Sequence, residues 1–302
     1  MTVLRIATRG SKLALWQAQH VAEALRPIVA PAHVELFVVQ TTGDRVQDRS
    51  LGVIGGQGVF TKEIQHALLD GRADLAVHSL KDLPTEPVDG LVLAAVPPRA
   101  STADALISPR FLRFEALPRG ARIATGSSRR RAQLLNQRPD LQLVDIRGNV
   151  DTRLRKLQDG NLDGLILAAA GLDRLGLSDR ITEILSDEWM LPAVGQGALG
   201  LECRSDDKGT LTAVQQLNHQ ASLLEVTAER AFLRTLGGGC ILPIACLGKV
   251  AGSSLVLRGA VCSPDGVSRV DGELVGPATD AVRLGTDLAR QLLRDGAGRL
   301  LR

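Results

Sequence analysis

The feature that most constrains the fold of this chain is a regular alternation between short apolar runs and longer amphipathic stretches. In the first hundred residues, apolar runs lie at 4–7, 34–40 and 75–77, and stretches with helical spacing lie at 11–25, ending before Pro27, and at 60–69. Helical spacing of apolar residues predicts an amphipathic helix, and a short apolar run predicts a buried strand. Strands that alternate with helices are typical of an α/β fold with a largely parallel sheet.

The same alternation returns after Arg122 and later gives way to a different pattern. The second block has predicted strands at 123–125, 141–146 and 165–168 and predicted helices at 130–137, 150–158 and 172–175. The third block has a predicted helix at 223–236, strands at 244–250, 254–261 and 267–274, and a helix at 279–293. The sequence therefore predicts two α/β units, with crossovers at 97–98 and 192–200, and a small α+β domain.

The basic residues are almost all arginine, since 30 of the 36 are Arg and 6 are Lys. Arginine binds carboxylates and phosphates in a bidentate manner, so this bias suits a protein that handles polyanions. A GC-rich genome explains the bias equally well. The net charge of +3 is too small to indicate a nucleic-acid partner, and five Phe, two Trp and no Tyr provide too few rings for base stacking.

The N-terminal residues and the cysteines indicate a cellular location. The chain begins MTVLRIATRG, which lacks the charged and then apolar pattern of an export signal, and no window approaches the roughly 18 apolar residues of a membrane span. The four cysteines form no CxxC pair and have no His-rich neighbourhood. We therefore expect a cytoplasmic protein with free thiols and no metal site.

Two basic segments each lead from a predicted strand into a predicted helix. RIATGSSRRRAQLL places Arg129 and Arg130 in the first helical turn, and DIRGNVDTRLRKL places Arg147, Arg153 and Arg155 near the start of the next helix. The N–H groups at a helix N-terminus can hold an anion, and nearby arginines strengthen such a site. One arginine run is usually a solvated surface, but two such turns in one unit favour an anion-binding edge.

The segment ADLAVHSLKDLPTE ends a predicted strand and then presents Lys81 and Asp82. Leu83 precedes a proline and therefore favours an extended conformation, so the chain is expected to leave the strand as a loop. Catalytic groups of α/β proteins tend to lie at this end of a strand. A surface ion pair between Lys81 and Asp82 is the simpler alternative.

The segment ERAFLRTLGGGCILPIA contains a helix that ends at three glycines, followed by Cys240. Gly237 can adopt the left-handed conformation that often ends a helix, and the glycines allow the thiol to project from a turn. Cys246 and Cys262 instead lie in apolar runs. Cys240 is therefore the candidate for a reactive thiol, with a structural role as the alternative.

A long segment between residues 43 and 58 has neither helical nor strand periodicity. It contains five glycines and four charged residues. Loops of this length are usually functional lids or disordered connectors, and the sequence alone leaves both alternatives open.

Several segments together resemble the porphobilinogen deaminase family over nearly the whole chain. The matching segments are RIATRGSKLALWQAQ, GVFTKEIQHALLDGRADLAVHSLKDLPT, the Ser/Arg turn before AQLL, RGNVDTRL, ILAAAGLDRLGL, PAVGQGALGLECR and AERAFLRTLGGGCILPIA. The resemblance implies three domains, formed by residues 1–97 with 198–215, by 103–191 and by 220–302. The first two are expected to be α/β domains like those of periplasmic binding proteins, and the third a small α+β domain.

The resemblance also implies an activity and a cofactor. Members of this family are transferases of tetrapyrrole biosynthesis that deaminate porphobilinogen, join four units head to tail on a dipyrromethane primer and release hydroxymethylbilane by hydrolysis. The primer is made from the enzyme's own substrate and is held by a thioether at the position that matches Cys240. Asp82 matches the catalytic aspartate. The positions that match cofactor- or substrate-binding residues are Arg9, Ser11, Lys81, Thr125, Ser127, Arg129, Arg130, Arg147, Arg153 and Arg174.

The implied substrate agrees with the arginine-rich turns. Each porphobilinogen carries an acetate and a propionate, so the growing oligopyrrole accumulates carboxylates that arginines can bind. We expect porphobilinogen and the growing chain to be the partners of a monomeric protein that binds neither nucleic acid nor membrane.

The sequence departs from the family pattern at four positions: Lys12, Gln57, Arg131 and Gly237. None of them coincides with the expected cofactor attachment or catalytic aspartate. The main alternative function is a two-lobed anion-binding protein of the periplasmic-receptor type, which would carry no covalent adduct. A nucleic-acid-binding regulatory module fits less well, because the net charge is small and aromatic residues are few.

Overall fold

The computed structural model describes residues 2–45, 58–238 and 242–301. The chain divides into two compact units. Unit 1 comprises residues 1–100 and 198–223, and unit 2 comprises residues 101–197 and 224–302. None of the helices in the described ranges combines the length and the apolar character that a membrane crossing requires.

In the first part of unit 1, the described residues form four strands and three helices. In chain order these are β1 (Val3–Arg9), α1 (Lys12–Val29), β2 (His33–Val39), α2 (Thr42–Arg45), α3 (Lys62–Leu69), β3 (Leu75–Ser79) and β4 (Leu91–Ala95). A short 3-10 turn, Leu80–Asp82, follows β3. Helix α1 continues past Pro27, contrary to the sequence expectation, because Ile28 and Val29 still pack on the apolar core of this unit.

The first part of unit 2 contains five strands and three helices. These are β5 (Asp104–Ile107), β6 (Arg122–Ala124), α4 (Ser128–Gln137), β7 (Gln142–Val144), α5 (Val150–Asp159), β8 (Gly164–Ala168), α6 (Ala169–Arg174) and β9 (Glu183–Ile184). Helices α4 and α5 each begin after a polar cap: Ser127 Oγ accepts from the N–H of Arg130, and Asn149 Oδ1 accepts from the N–H of Thr152. The predicted strand-to-helix turns are therefore present at both places.

The chain then returns to unit 1 before it completes unit 2. Unit 1 gains β10 (Leu199–Arg204) and α7 (Lys208–Gln215). Helix α8 (Gln220–Thr235) begins in unit 1 and continues into unit 2, where it is followed by β11 (Ile244–Ala251), β12 (Ser254–Cys262), β13 (Arg269–Pro277), α9 (Ala281–Arg294) and α10 (Ala297–Leu300).

Three sheets organise these elements. The sheet of unit 1 has the order β2-β1-β3-β10-β4, and the first sheet of unit 2 has the order β7-β6-β8-β5-β9. In each of these two sheets the first three strands are parallel, and the fourth runs antiparallel to both of its neighbours. The third sheet, β11-β12-β13, is antiparallel and packs against α9.

The apolar residues of both five-stranded sheets are buried on two faces. In unit 1, Leu4 and Ile6 of β1 pack with α1, and Ala7 and Ala76 pack with α3 on the opposite side. Burial of both faces explains why these strands appear in the sequence as continuous apolar runs. The predicted fold class, α/β with a small C-terminal α+β part, is confirmed, although each large sheet is mixed rather than mostly parallel. The division into three domains stays a prediction.

Candidate active site

In unit 1, four of the predicted site residues follow the ends of two neighbouring parallel strands. Arg9 is the last residue of β1, and Ser11 caps the helix that comes next. Lys81 and Asp82 form the short turn after β3. Because β1 and β3 are parallel neighbours, their carboxyl ends meet at one edge of the sheet, where ligands of α/β proteins commonly bind.

The turn that carries Asp82 is fixed from two sides. The N–H of Leu80 donates to the carbonyl of Ala198 at 3.0 Å. The Gln17 side chain of α1 donates to Ser79 Oγ at 2.9 Å, and Ser79 Oγ lies 3.1 Å from Gln17 Oε1. These contacts hold the end of β3 to α1 and to the residue before β10. The position of Asp82 is therefore determined by the sheet rather than by a mobile loop.

The Asp82 carboxylate is half-buried and forms no ion pair among the described residues. The neighbouring Arg9 guanidinium lies 4.2 Å from the centre of the Phe60 ring, a cation–π distance. A carboxylate that carries no ion pair within the described ranges can stabilise a positive charge on a ligand. Between Lys81 and Asp82, both of which are described, the surface ion pair that the sequence left open as an alternative is not formed.

In unit 2, the two basic turns lie against each other. Thr125 follows β6, its N–H donates to the carbonyl of Val144 at 2.9 Å, and its Oγ1 accepts from the N–H of Ser127 at 3.3 Å. A Cβ on Gly126 would lie 2.6 Å from the carbonyl oxygen of Ile146, so only glycine fits where the turns approach. The turn after β6 and the turn before α5 therefore form one continuous edge.

Arg129 and Arg130 are both buried in the first turn of α4, and both bind Asp104. Arg129 Nη1 donates to Asp104 Oδ2 at 2.7 Å, and Arg130 donates to Oδ1 from Nη2 at 2.7 Å and from Nε at 3.0 Å. Asp104 begins β5 and pairs with Ala168, the last residue of β8. The antiparallel strand thus brings a carboxylate to the edge where the basic turns begin.

Together, the buried side chains of Arg129, Arg130 and Asp104 carry one net positive charge. Burial alone would raise the pKa of the Asp104 carboxyl, but the charges and hydrogen bonds of Arg129 and Arg130 outweigh burial and hold that pKa well below its usual range. Gln196 Nε2 also donates to Asp104 Oδ1, at 2.9 Å. Two guanidinium groups face one carboxylate, so a bound anion would complete the charge balance.

Three buried polar atoms near this edge have no hydrogen-bond partner among the described residues: Ser128 Oγ, Arg129 Nε and Arg147 Nε. Arg147 Nε lies 3.7 Å from Asp145, too far for a hydrogen bond. Buried donors normally have partners, and each exception requires an explanation. A ligand with several carboxylates would satisfy such donors, so this edge fits an acidic ligand.

The remaining two predicted arginines are held by backbone carbonyls. Arg153 Nε donates to the carbonyl of Gly148 at 2.8 Å, next to Arg147 in the turn before α5. Arg174 Nη2 donates to the carbonyl of Gly197 at 2.7 Å, and burial lowers the pKa of this guanidinium. Arg153 therefore lies at the basic edge, whereas Arg174 lies at the far end of α6.

The predicted attachment residue, Cys240, lies outside the described residues, as do Gln57 and residues 46–57 of the expected loop. The other three cysteines are buried. Burial raises the pKa of Cys203 and of Cys262 to about 11, so neither thiol forms the reactive thiolate readily. Within the described ranges, no group of three His, Cys, Asp or Glu side chains is placed to hold a metal ion.

The sequence interpretation missed Asp104, although one signal was present. Asp104 interrupts an otherwise apolar stretch, ADALI, and a charged residue in a buried strand requires a partner of opposite charge. The arginine run offered such partners. Only the pairing of β5 with β8, however, shows that Asp104 reaches them.

Comparisons with known proteins agree with the motifs. Residues 4–212 match the family described as "Porphobilinogen deaminase, dipyromethane cofactor binding domain", and residues 223–294 match "Porphobilinogen deaminase, C-terminal domain". The porphobilinogen deaminase of Trichlorobacter lovleyi is 50% identical over 298 residues, which cover 99% of this chain and 95% of that protein. That of Syntrophotalea carbinolica is 49% identical over 300 residues, with coverage of 99% and 95%.

Among solved structures, the chain is also similar to a periplasmic substrate-binding protein of an ABC transporter from Coxiella burnetii. It is 17% identical, with a TM-score of 0.46 over 73% of this chain and 94% of that chain. The family matches are in order along the chain, and the sequence relatives cover nearly all of it. The predicted resemblance is thus confirmed, and the chain belongs to the porphobilinogen deaminase family.

Proposed function

We propose that this protein deaminates porphobilinogen, joins four units head to tail on a covalently bound dipyrromethane and releases hydroxymethylbilane by hydrolysis. The observation that carries the proposal is the match of residues 4–212 to the cofactor-binding domain of this family. Family membership confirms the predicted transferase class and the predicted cofactor. The roles of individual residues are proposals that rest on the geometry of the two sheet edges.

The basic edge of unit 2 binds the carboxylates of the cofactor and the growing chain. Arg129, Arg130 and Arg147 carry positive charge at this edge, and Thr125 and Ser127 shape the turn between them. Arg153 supports the second turn through its bond to Gly148. When bound, the dipyrromethane would supply the free pyrrole terminus to which the first unit is joined, and each later unit would be joined to the one before it. A propionate or acetate that accepts from the buried Nε atoms of Arg129 and Arg147 would satisfy both donors.

Asp82 stabilises the positive charge that develops on the pyrrole when ammonia leaves. Its carboxylate is not neutralised by an ion pair within the described residues, and the turn that carries it is fixed to α1 and to Ala198. Preorganised charge of this kind stabilises a transition state without reorganisation. Arg9, Ser11 and Lys81, at the same edge of the sheet, hold substrate carboxylates.

Cys240 anchors the cofactor through a thioether. The three described cysteines are buried, and a buried thiol is a poor nucleophile. The helix before Cys240 ends at Gly237, whose φ of +66° is the left-handed conformation expected there. A thioether is stable to hydrolysis, so the anchor survives the step that releases the product.

The protein acts in the cytoplasm as a monomer that binds neither nucleic acid nor membrane. The low net charge of +3 and the scarcity of aromatic residues support the absence of a nucleic-acid partner.

The domain boundaries proposed from the family resemblance place each of the three sheets in a domain of its own.

Purified protein incubated with porphobilinogen is the direct test of this function. We expect release of ammonia and formation of hydroxymethylbilane. Binding of porphobilinogen without turnover would instead support the two-lobed anion-binding protein.

Substitution of Asp82 tests the proposed catalytic role. Asp82→Asn supplied with preassembled cofactor is expected to remain folded and keep its adduct, but to lose at least roughly 100-fold in single-turnover rate, because the amide cannot balance the developing charge. Asp89→Asn, an exposed acid between β3 and β4, is the matched control and is expected to retain wild-type rates. A rate for Asp82→Asn within a few-fold of the wild type would show that Asp82 is not catalytic.

A further inference from the structure

Gln133 is a buried residue of α4 whose side chain binds both backbone groups of Leu191 and, at longer distances, the Arg129 carbonyl at 3.4 Å and Met190 Sδ at 3.5 Å. Its Oε1 accepts from the N–H of Leu191 at 3.0 Å, and its Nε2 donates to the carbonyl of Leu191 at 3.0 Å. The side chain is 1% exposed. Both polar groups of Leu191 are therefore satisfied by one amide, which fixes the orientation of that peptide.

The same carbonyl also binds Arg129. Arg129 Nη1 donates to the Leu191 carbonyl at 2.6 Å and to Asp104 at 2.7 Å. These two acceptors, both bound by one nitrogen, restrict the orientation of the guanidinium. Since Gln133 binds the same carbonyl from the next turn of α4, a change at Gln133 alters the support of Arg129 while the Arg129 side chain itself is retained.

The segment that contains Leu191 is held on its other side by the C-terminal sheet. The Leu191 side chain packs with Ala245, Leu247 and Ala260, and the N–H of Cys246 donates to the carbonyl of Pro192 at 3.1 Å. The segment therefore cannot follow α4 freely if the Gln133 contact is lost. Loss of the Gln133 contact would leave Leu191 on the sheet but remove one of the bonds that fix α4, and hence Arg129, relative to that peptide.

We propose that Gln133 is a positioning residue for Arg129, and that it acts through the peptide of Leu191. The proposal rests on the proposed function, because it takes Arg129 as a ligand of the cofactor or substrate carboxylates. The alternative is a purely structural role, in which loss of Gln133 lowers stability and leaves anion binding unchanged.

Thr182 provides a matched control for such a structural role. Its hydroxyl accepts from the N–H of Ser108 at 2.9 Å and donates to the carbonyl of Ser108 at 3.2 Å, so it also makes two bonds to the backbone of one residue. Ser108 follows the end of β5, at the opposite end of the strand from Asp104. Thr182→Val likewise removes a donor and an acceptor that bind the backbone of one residue, but at the other end of β5 from Asp104.

The experiment compares Gln133→Met with Thr182→Val as apo proteins. Each is incubated with porphobilinogen, and the gain of pyrrole units is followed by intact mass, alongside the melting temperature. We expect both to melt at lower temperature than the wild type, and only Gln133→Met to take up its first two units at least about five-fold more slowly. In an Arg129→Lys background, Gln133→Met is expected to cause no further loss of uptake.

Equal uptake by Gln133→Met and Thr182→Val would overturn the proposal. If Gln133→Met does not fold, Gln133→Glu replaces it, since the carboxylate still accepts from the N–H of Leu191 but no longer donates to the carbonyls of Leu191 and Arg129. Wild-type uptake by folded Gln133→Glu would also overturn the proposal. Failure of the proposed function gives a different result, because the wild-type protein itself would then gain no pyrrole units.

Discussion

The two five-stranded sheets have the same strand pattern but use it for different chemistry. Position by position, β2, β1, β3, β10 and β4 correspond to β7, β6, β8, β5 and β9. In both sheets the antiparallel fourth strand carries a buried carboxylate, Glu202 on β10 and Asp104 on β5. In each sheet the central parallel strand, β1 or β6, is followed by a serine that caps the next helix. These serines are Ser11 before α1 and Ser127 before α4.

The two carboxylates differ in their partners and in their depth within the sheet. Asp104 is opposite Ala168, the last residue of β8, and binds two arginines. Glu202 is opposite Ala76, the second residue of β3, and binds His78 at 2.9 Å and Gln65 at 3.0 Å. Asp104 therefore lies at the edge of the sheet where the site begins, whereas Glu202 lies below that edge.

The two sheets share one strand order, but the position of the buried acid makes their carboxyl-terminal edges different. An acid at the edge permits arginines to be buried there, because it offsets part of their charge. An acid below the edge ties α3 to the sheet and leaves the edge itself to Asp82. Under the proposed function, one unit presents a carboxylate to a developing positive charge, and the other presents positive charge to carboxylates.

The largest expected effect is loss of the acid of unit 2. Asp104→Asn leaves Arg129 and Arg130 as uncompensated buried charges, so it is expected to lower the free energy of unfolding by about 3–5 kcal/mol. Urea denaturation gives this value. Asp187→Asn is the control, because Asp187 meets Lys249 and Arg258 at the surface and is expected to lose about 1 kcal/mol or less.

The pH dependence of stability provides a second check on Asp104. Its pKa is lowered in the folded protein, so its contribution is fully present above the pKa of the unfolded carboxyl and is lost as the pH falls toward the folded pKa. The difference between wild type and Asp104→Asn is therefore expected to be constant from about pH 5 to 8 and to shrink below about pH 4. A difference that already shrinks near neutral pH would contradict this assignment.

A smaller effect is expected for the corresponding acid of unit 1. Glu202→Gln keeps the shape of the side chain and leaves no uncompensated arginine, so only hydrogen bonds to His78 and Gln65 change. The free energy of unfolding is expected to fall by about 1–3 kcal/mol, as measured by urea denaturation. A loss as large as that of Asp104→Asn would mean that the two acids have equivalent roles, and the comparison would fail.

The sequence predicted the parallel parts of both sheets because local pattern encodes them. The runs at β1, β3, β6 and β8 are apolar, and the polar residues that follow them mark the turns. The predicted ends of helices α4 and α5 lie within two residues of the observed ends, because the caps and the apolar spacing of these helices are local features.

The antiparallel strands of the two five-stranded sheets were not predicted, because their pairing is not local, whereas the three strands of the C-terminal sheet were predicted. Strand β10 begins within the glycine-rich segment interpreted as a crossover, and β5 and β9 are only four and two residues long. His78 and Glu202 are 124 residues apart in sequence, yet they share a hydrogen bond. Asp104 was missed for the same reason, so the two basic strand-to-helix turns could be predicted and the acid that permits the burial of Arg129 and Arg130 could not.

Intact mass and peptide mapping of the purified protein test the central claim most directly. The account predicts a covalent two-ring pyrrole adduct on Cys240, and on none of Cys203, Cys246 and Cys262, with further increments of one pyrrole unit on addition of porphobilinogen. Cys240→Ser is expected to be folded, to remain at the mass of the apo protein and to be inactive. Native protein that carries no adduct, or an adduct on another cysteine, would contradict the account.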